Sequence, residues 1–364
     1  MKNLVTLLAV IMMPLVSAAL KPSQMSAHDA AELPLLGTLA PDAAKEYSRL
    51  PDSLEISIRP DLWNLGKNSA GMAVRFRSDA SAVGARWKST NKFSMNHMTA
   101  TGIRGLDLYV LDADSAWTPV GSARPSMSSH NNSSCIMENM EPVMREYMLY
   151  LSLYDGVDSL YILTDSAAMV LPPDVDLPQR DRPMVMYGTS ILQGGCASRP
   201  GMVHTSILGR MFNREVINLG FSGNARLDTG IATLMAGCDA SVYVLDMLPN
   251  CTAEILEERL EPFIAVLRAA HPDTPVLLVE SPMFPAYRFN SEVKATLTHK
   301  NDVLRGIYRR MAADDPNIYY MSADRVLDDV EATVDNYHYT DLGFSKFAEA
   351  MRPVLETVLG PSGH

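Results

Sequence analysis

The chain is 364 residues long, 47% hydrophobic and 20% charged, which is ordinary for a globular protein with a buried core and leaves room for two domains. Its 31 basic and 42 acidic residues give a formal net charge of −11. With no cluster of Lys and Arg, that balance argues against nucleic acid and anionic membranes as partners and favours an uncharged or weakly charged substrate.

At the N-terminus, Lys2, an apolar run from Leu4 to Val16 and Ser17-Ala18-Ala19 follow the order of a secretory signal peptide, assigned to residues 1–19. A membrane span needs about 20 apolar residues, so this run is too short, and no cysteine stands at the cleavage zone to take a lipid. The expected location is secreted or periplasmic, with no integral membrane segment left after cleavage. Cys135, Cys196, Cys238 and Cys251 are widely spaced, and either one disulfide or free buried thiols fits them. With neither Cys-x-x-Cys nor His-Glu-x-x-His in the chain, no dedicated metal site and no cofactor is expected.

Residues 30–176 read as an antiparallel β-sandwich of the jelly-roll type, because short alternating runs are broken by turn residues. Gly71 to Arg77 places Ala73, Arg75 and Arg77 on one face and Met72, Val74 and Phe76 on the other. Further strands are expected at Val83 to Lys88, Leu106 to Leu111, Trp117 to Arg124 and Tyr147 to Tyr154. Asp155-Gly156 predicts a turn that returns Leu160 to Leu163 as the hairpin partner of the last of these. Ser89 to Gly102 and Ser126 to Asn139 read as long loops, either solvated connections or places for binding residues. Trp63 and Trp87 suit packing better than a sugar platform.

Leu171 to Pro183 is rich in proline and charge, which predicts a stiff linker. From residue 177 to 364 the pattern changes to strands alternating with helices. Strands are expected at Met184–Tyr187, Glu215–Leu219, Ser241–Leu245, Val276–Glu280 and Ile318–Met321. Helices are expected at about Val203–Phe212, Thr229–Ala236, Ala253–Ala270 and Glu292–Ala312, with a last one capped by Thr340. Phe344, Phe347, Ala348, Met351, Leu355 and Val358 give that last helix an apolar stripe, and Pro353 inside it predicts a kink or break. Such alternation implies a parallel sheet covered on both faces, with ligands at the carboxyl ends of its strands.

Several polar residues fall just past those carboxyl ends. Ser190 follows the first strand, Asn218 to Asn224 closes the second, Asp246 to Asn250 the third, and Asp335-Asn-Tyr-His338 precedes the final helix. Taken singly, each has a plain structural use as a turn or cap, and Asn250-Cys-Thr252 and Asn132-Ser-Ser134 also spell glycosylation sequons. Together they are the parts of an acyl-transfer site. A serine hydroxyl becomes a competent nucleophile when an imidazole takes its proton, which suits Ser190 and His338. Asp335 can then fix the imidazole tautomer. The backbone N–H groups of Ser190 and Gly223 and the Asn250 amide are candidate donors to an oxyanion.

Ser, Gly, Asn and Asp-x-x-His in this order resemble the four blocks of the SGNH, or GDSL-type, hydrolases. Gly-Thr-Ser-Ile at 188–191, Gly194 to Gly201, Ile217 to Asn224 and Thr340 to Phe344 are similar to a bacterial two-domain branch. The N-terminal β-domain of that branch carries Gly-x-Asp-Leu-Tyr, here Gly105-Leu-Asp-Leu-Tyr109. The resemblance implies a flavodoxin-like α/β domain with a five-stranded parallel sheet, a Ser190–His338–Asp335 triad and an oxyanion hole of Ser190, Gly223 and Asn250. Two departures bear on substrate positioning: Thr189 stands where Asp is usual, and the third block ends Pro249-Asn250-Cys251.

The expected function is a secreted serine esterase acting on small acyl esters, with O-acetyl groups on carbohydrate implied by export and by the resemblance. An acyltransferase using the same serine, and a non-catalytic glycan-binding protein, are the alternatives. Without a long apolar lid segment, acetate is expected to be preferred over octanoate.

Overall fold

A computed structural model describes residues 20–39, 47–325 and 330–360. The segment assigned to a signal peptide lies outside them. Two antiparallel sheets form first. One runs in the order β1 (Ser26–Asp29), β9 (Val157–Thr164), β4 (Val83–Ser89) and β7 (Asn131–Met137). The other runs β10 (Val170–Leu171), β3 (Ala73–Ser78), β8 (Arg145–Tyr150), β5 (Leu106–Leu111) and β6 (Trp117–Ala123), with β2 (Leu35–Leu36) also paired to β3. Val74, Phe76 and Leu149 of the second sheet meet Ala85, Trp87 and Ile162 of the first in one buried core, as alternation along each strand requires.

Several sequence expectations need correction here. The proposed hairpin does not form: β8 pairs with β3 and β5, whereas β9 pairs with β4 and β1 in the opposite sheet. The segment between them, residues 151–156, is buried throughout. Its apolar side chains are consumed by the crossing, Leu151 in the sandwich core and Leu153 and Tyr154 in the core of the second half. The stretch from Ser126 to Asn139 is not simply a loop, because Asn131–Met137 is the edge strand β7. Its polar composition hides it, since an edge strand is half solvated. The other long loop ends in a short helix, α2 (Ala100–Arg104). Trp63 and Trp87 are both buried, the first midway along α1 (Pro60–Gly66), so neither is a platform for a sugar.

The outer face of the second sheet is covered by the C-terminal half rather than by water. Asp107 and Tyr109 of the Gly-x-Asp-Leu-Tyr stretch face the segment that follows the parallel sheet's first strand. The Asp107 carboxylate accepts from Arg199 Nη1 at 2.6 Å and from the Gly201 N–H at 2.9 Å, and the Arg210 guanidinium lies 4.3 Å from the Tyr109 ring centre. A methyl group on Gly201 would come within 2.4 Å of that ring, so the close approach requires glycine.

The C-terminal half is built on a parallel sheet of five strands in the order β12, β11, β13, β14, β15. These span Arg214–Gly220, Gln179–Gly188, Val242–Asp246, Val276–Val279 and Ile318–Met321. Each strand is buried on both faces: Val185, Tyr187, Tyr243 and Leu245 enter one core, and Met184, Met186, Val242 and Val244 enter the other. Helices α5 (Thr229–Ala236), α6 (Ala253–Ala270) and α7 (Ser291–Met311) supply the first core. Helices α4 (His204–Met211) and α8 (Asp341–Leu359) supply the second.

The strand β11 starts at Gln179, inside the stretch read as a linker. Pro353 does not break α8, which continues to Leu359 with its apolar stripe buried; burial of that stripe outweighs the loss of one backbone bond. All four cysteines are free. The chain leaves β11 toward β12 on one side and returns to β13 on the other, so the topological switch point lies at the carboxyl end of β11.

Candidate active site

Ser190 stands at that switch point, as the first residue of α3 (Ser190–Gln193). Thr189 caps the helix, its hydroxyl accepting from the Ile191 N–H at 3.3 Å. The residue that departs from the family pattern therefore still shapes the turn. Gly194 closes the helix in the left-handed region at φ 108°. The Ser190 carbonyl accepts from the Tyr154 hydroxyl at 3.1 Å, so the buried crossing segment between the sandwich sheets also braces the Ser190 turn.

The loop that carries His338, the expected base, follows from one carboxylate. Asp335 Oδ1 accepts from the N–H groups of Tyr337 at 3.1 Å and His338 at 2.7 Å, folding the chain around the side chain in the manner of an Asx turn. Asn336 adopts φ 65° to allow it. Val334 and Thr340 extend the loop into a short antiparallel pairing with His338 and Ala332, and Thr340 then caps α8 by accepting from the Gly343 N–H.

Asp335 Oδ2 lies 2.8 Å from His338 Nδ1, and His338 Nε2 lies 2.9 Å from Ser190 Oγ. A carboxylate only accepts, so Nδ1 carries the ring proton and Nε2 offers its lone pair to the serine O–H. Burial raises the Asp335 pKa, but hydrogen bonds from the His338 ring and from the His338 and Tyr337 amides outweigh it and hold the carboxyl below its usual value. It is ionised at neutral pH.

The three expected oxyanion donors follow the three adjacent strands β11, β12 and β13. Gly223 has φ 68°, and no atom lies within 4 Å of where a side chain would start, so its backbone borders open space. Asn250 Oδ1 accepts from the Ala225 N–H at 3.2 Å. No bond from its Nδ2 is present among the described residues, which leaves that N–H group free to donate. Cys251, the other departure, donates its thiol to the Ala225 carbonyl at 3.3 Å. The Asn-Cys pair thus grips both peptide groups of Ala225 and fixes the loop that follows Gly223.

Other residues at the site carry no catalytic motif and escaped the sequence reading. Buried Arg49 donates to the carbonyls of Asn218 at 3.2 Å and Gly220 at 2.6 Å, and to those of Asn68 and Leu65 at 2.7 Å each. Asn218 donates to Leu192 O at 2.7 Å and accepts from the Gly220 N–H at 2.9 Å. Gln193 bridges Leu153 O, at 3.1 Å, to the Ser222 N–H, at 3.0 Å. Gly195 lets the His338 ring lie against the backbone, since a methyl there would be 2.9 Å from His338 Cδ2. The double glycine was the one signal available for it. Asp246, the last residue of β13, is buried, and desolvation raises its pKa well above the usual carboxylate value.

Residues 181–356 match the GDSL-like lipase/acylhydrolase family, and residues 25–170 match the GxDLY family, the N-terminus of SGNH-hydrolase-type esterases. No curated protein matches. A crystal structure assigned as a GDSL-like lipase from Bacteroides ovatus is 29% identical, with a TM-score of 0.85 over 92% of this chain and 98% of that one. A salicylyl-acyltransferase from a tetracycline biosynthetic pathway is 15% identical, with a TM-score of 0.75 over 92% and 98%. A family two carbohydrate esterase from Cellvibrio japonicus is 11% identical, with a TM-score of 0.58 over 92% and 97%. At such identities the last two show a shared fold.

Proposed function

We propose, since the chain belongs to the GDSL-like lipase/acylhydrolase family and is an ester-hydrolysing enzyme, that it is a secreted serine esterase removing small acyl groups, above all O-acetyl, from carbohydrate. The observation that carries the reading is the unbroken line from Asp335 through His338 to Ser190, with contacts of 2.8 and 2.9 Å. In this mechanism Ser190 Oγ attacks the acyl carbon as its proton passes to His338 Nε2. The new oxyanion is met by the Ser190 and Gly223 N–H groups and by Asn250 Nδ2; each such donor contributes roughly 3–4 kcal/mol to the transition state. The imidazolium then protonates the departing sugar oxygen, which leaves as a hydroxyl as the acyl C–O bond breaks. A water molecule, deprotonated by the same ring, releases the carboxylic acid and restores the serine.

The reading divides the chain into a β-sandwich domain at 30–176 and a hydrolase domain at 177–364, after a signal peptide at 1–19. Export draws on that basic-then-apolar stretch. Among the described residues, no helix is long and apolar enough to cross a membrane. The carbohydrate part draws on the likeness to the family two esterase. The salicylyl-acyltransferase favours a second reading, in which an alcohol rather than water takes the acyl group.

The test is turnover of p-nitrophenyl esters from acetate to octanoate by the wild type and Ser190→Ala, with and without an added alcohol acceptor. The expected result is preference for acetate, free acid as the product, and a loss of about 10⁴-fold or more in the variant. Equal rates in the two proteins would overturn the serine mechanism and favour a glycan-binding protein. Acyl transfer outrunning hydrolysis would favour the acyltransferase.

A further inference from the structure

We propose that Zn²⁺ binds at the seam between the two domains through His97, Cys196, Asp335 and His338, and that its binding switches the esterase off. One ligand atom from each of these four residues lies within 4.8 Å of all the others. In a tetrahedral zinc site, with Zn–N and Zn–O near 2.1 Å and Zn–S near 2.3 Å, ligand atoms sit about 3.3–3.8 Å apart. Closing the difference takes about 1 Å of side-chain movement. Two imidazoles, a thiol and one carboxylate form a borderline-soft set that suits zinc over magnesium or calcium.

The residues converge from three separate parts of the chain. His97 comes from the loop between β4 and α2 of the sandwich, Cys196 from the turn after α3, and the other two from the base loop. His97 Nδ1 lies 3.1 Å from Asn96 Oδ1, a contact in which the ring nitrogen donates, so that Nε2 is the atom left to bind a metal. That nitrogen lies 4.0 Å from Asp335 Oδ2. A cation shared by the two groups would sit in that gap. Cys196 is buried and holds φ 72°, a left-handed backbone that a side chain adopts at a cost of roughly 1–2 kcal/mol. Such strain on the wall of a reactive site is a recurrent mark of a functional position.

Binding and inhibition follow from proton and electron-pair accounting. The Cys196 thiol gives its proton to solvent as the Zn–S bond forms. Neutral His338 has one lone pair. Once that pair is given to the metal, from either nitrogen, it can no longer accept the Ser190 proton. Asp335 is engaged in the same step. The inhibitory half of this inference rests on the proposed role of His338; the binding half does not.

The experiment uses the full chain stripped of metal by a chelator. Zn²⁺ binding is measured by titration calorimetry, Co²⁺ is used as a spectroscopic probe for thiolate ligation, and ester turnover is followed alongside. The expected result is stoichiometric zinc binding, a thiolate–cobalt charge-transfer band lost in Cys196→Ser, and inhibition reversed by chelator. His97→Ala should keep the basal rate while zinc binds and inhibits at least about tenfold more weakly. Absence of calorimetric binding, or zinc affinity unchanged in both His97→Ala and Cys196→Ser, would overturn the site. Zinc binding that needs both residues, in a chain with no ester turnover, would sustain the site and overturn the esterase reading.

Discussion

The side of the site that carries the proposed nucleophile and the side that carries the proposed base are held by different physics. Ser190 and the glycine loop beside it hang on buried groups, Arg49, Asn218, Gln193 and Tyr154, contributed by both domains. The base side is a surface loop, where the side chains of Asp335 and His338 keep 36% and 20% of their exposure. It owes its shape mainly to one carboxylate accepting from its own neighbours. Geometry written into the core is shared with stability, whereas geometry written into a local turn is not. Damage to the first side should therefore appear as unfolding, and damage to the second as a lost rate.

The largest effect expected is at the base side. In Asp335→Asn, the amide nitrogen can face His338 Nδ1 and force the ring proton onto Nε2, opposite the serine hydroxyl. On the proposed mechanism kcat falls by about 10⁴-fold. Because the residue is on the surface, the stability change stays within about 1 kcal/mol. Both are read from ester turnover and thermal unfolding of the same preparation. A large drop in Tm with the rate kept would reverse the assignment of the two sides.

Arg49→Met probes the opposite side. Methionine keeps the apolar stem but removes the donors to four carbonyls, those of Leu65, Asn68, Asn218 and Gly220. Buried acceptors left without donors cost about 1–3 kcal/mol each, partly relieved by the lost burden of a buried guanidinium, whose pKa desolvation lowers to about 9. A net loss of roughly 3–5 kcal/mol is expected in denaturant unfolding. Turnover per folded molecule should change far less than in Asp335→Asn. A variant as stable as the wild type would show that the core does not hold the nucleophile turn.

The same contrast decides what could be read in the sequence. The five parallel strands and the polar residues at their ends were legible because periodicity and punctuation are local. Asp335 and His338 lie three residues apart, and their geometry is nearly complete within that span. Arg49 was not legible: its partners lie up to 171 positions away, and nothing nearby marks a buried guanidinium. The missed crossing at residues 151–156 has the same origin, since alternation along a strand does not say which sheet it joins. The absence of metal motifs said nothing about Cys196, which meets Asp335 and His338 through the fold of the parallel-sheet half, or about His97, which reaches them only through the docking of the two domains.

A smaller effect separates the two sides by pH. His204, in the first turn of α4, is fully buried. Its ring stacks on Phe344 at 5.8 Å and packs at 4.7 Å from Phe347. Neither nitrogen has a partner among the described residues, and desolvation lowers its pKa to about 3, against about 6.5 for an exposed imidazole. Between those values the unfolded chain holds a proton that the folded chain does not. The folded state is thus fully favoured above about pH 6.5 and loses roughly 1.4 kcal/mol per unit below it, about 2 kcal/mol by pH 5. His204→Phe should flatten that slope in denaturant unfolding measured from about pH 7 to 5. It should leave the pH dependence of turnover in place, because the proposed base stands on a loop outside that core. If the substitution abolished both slopes together, acid inactivation would be unfolding of the core, and the division between a core-held nucleophile and a locally held base would fail.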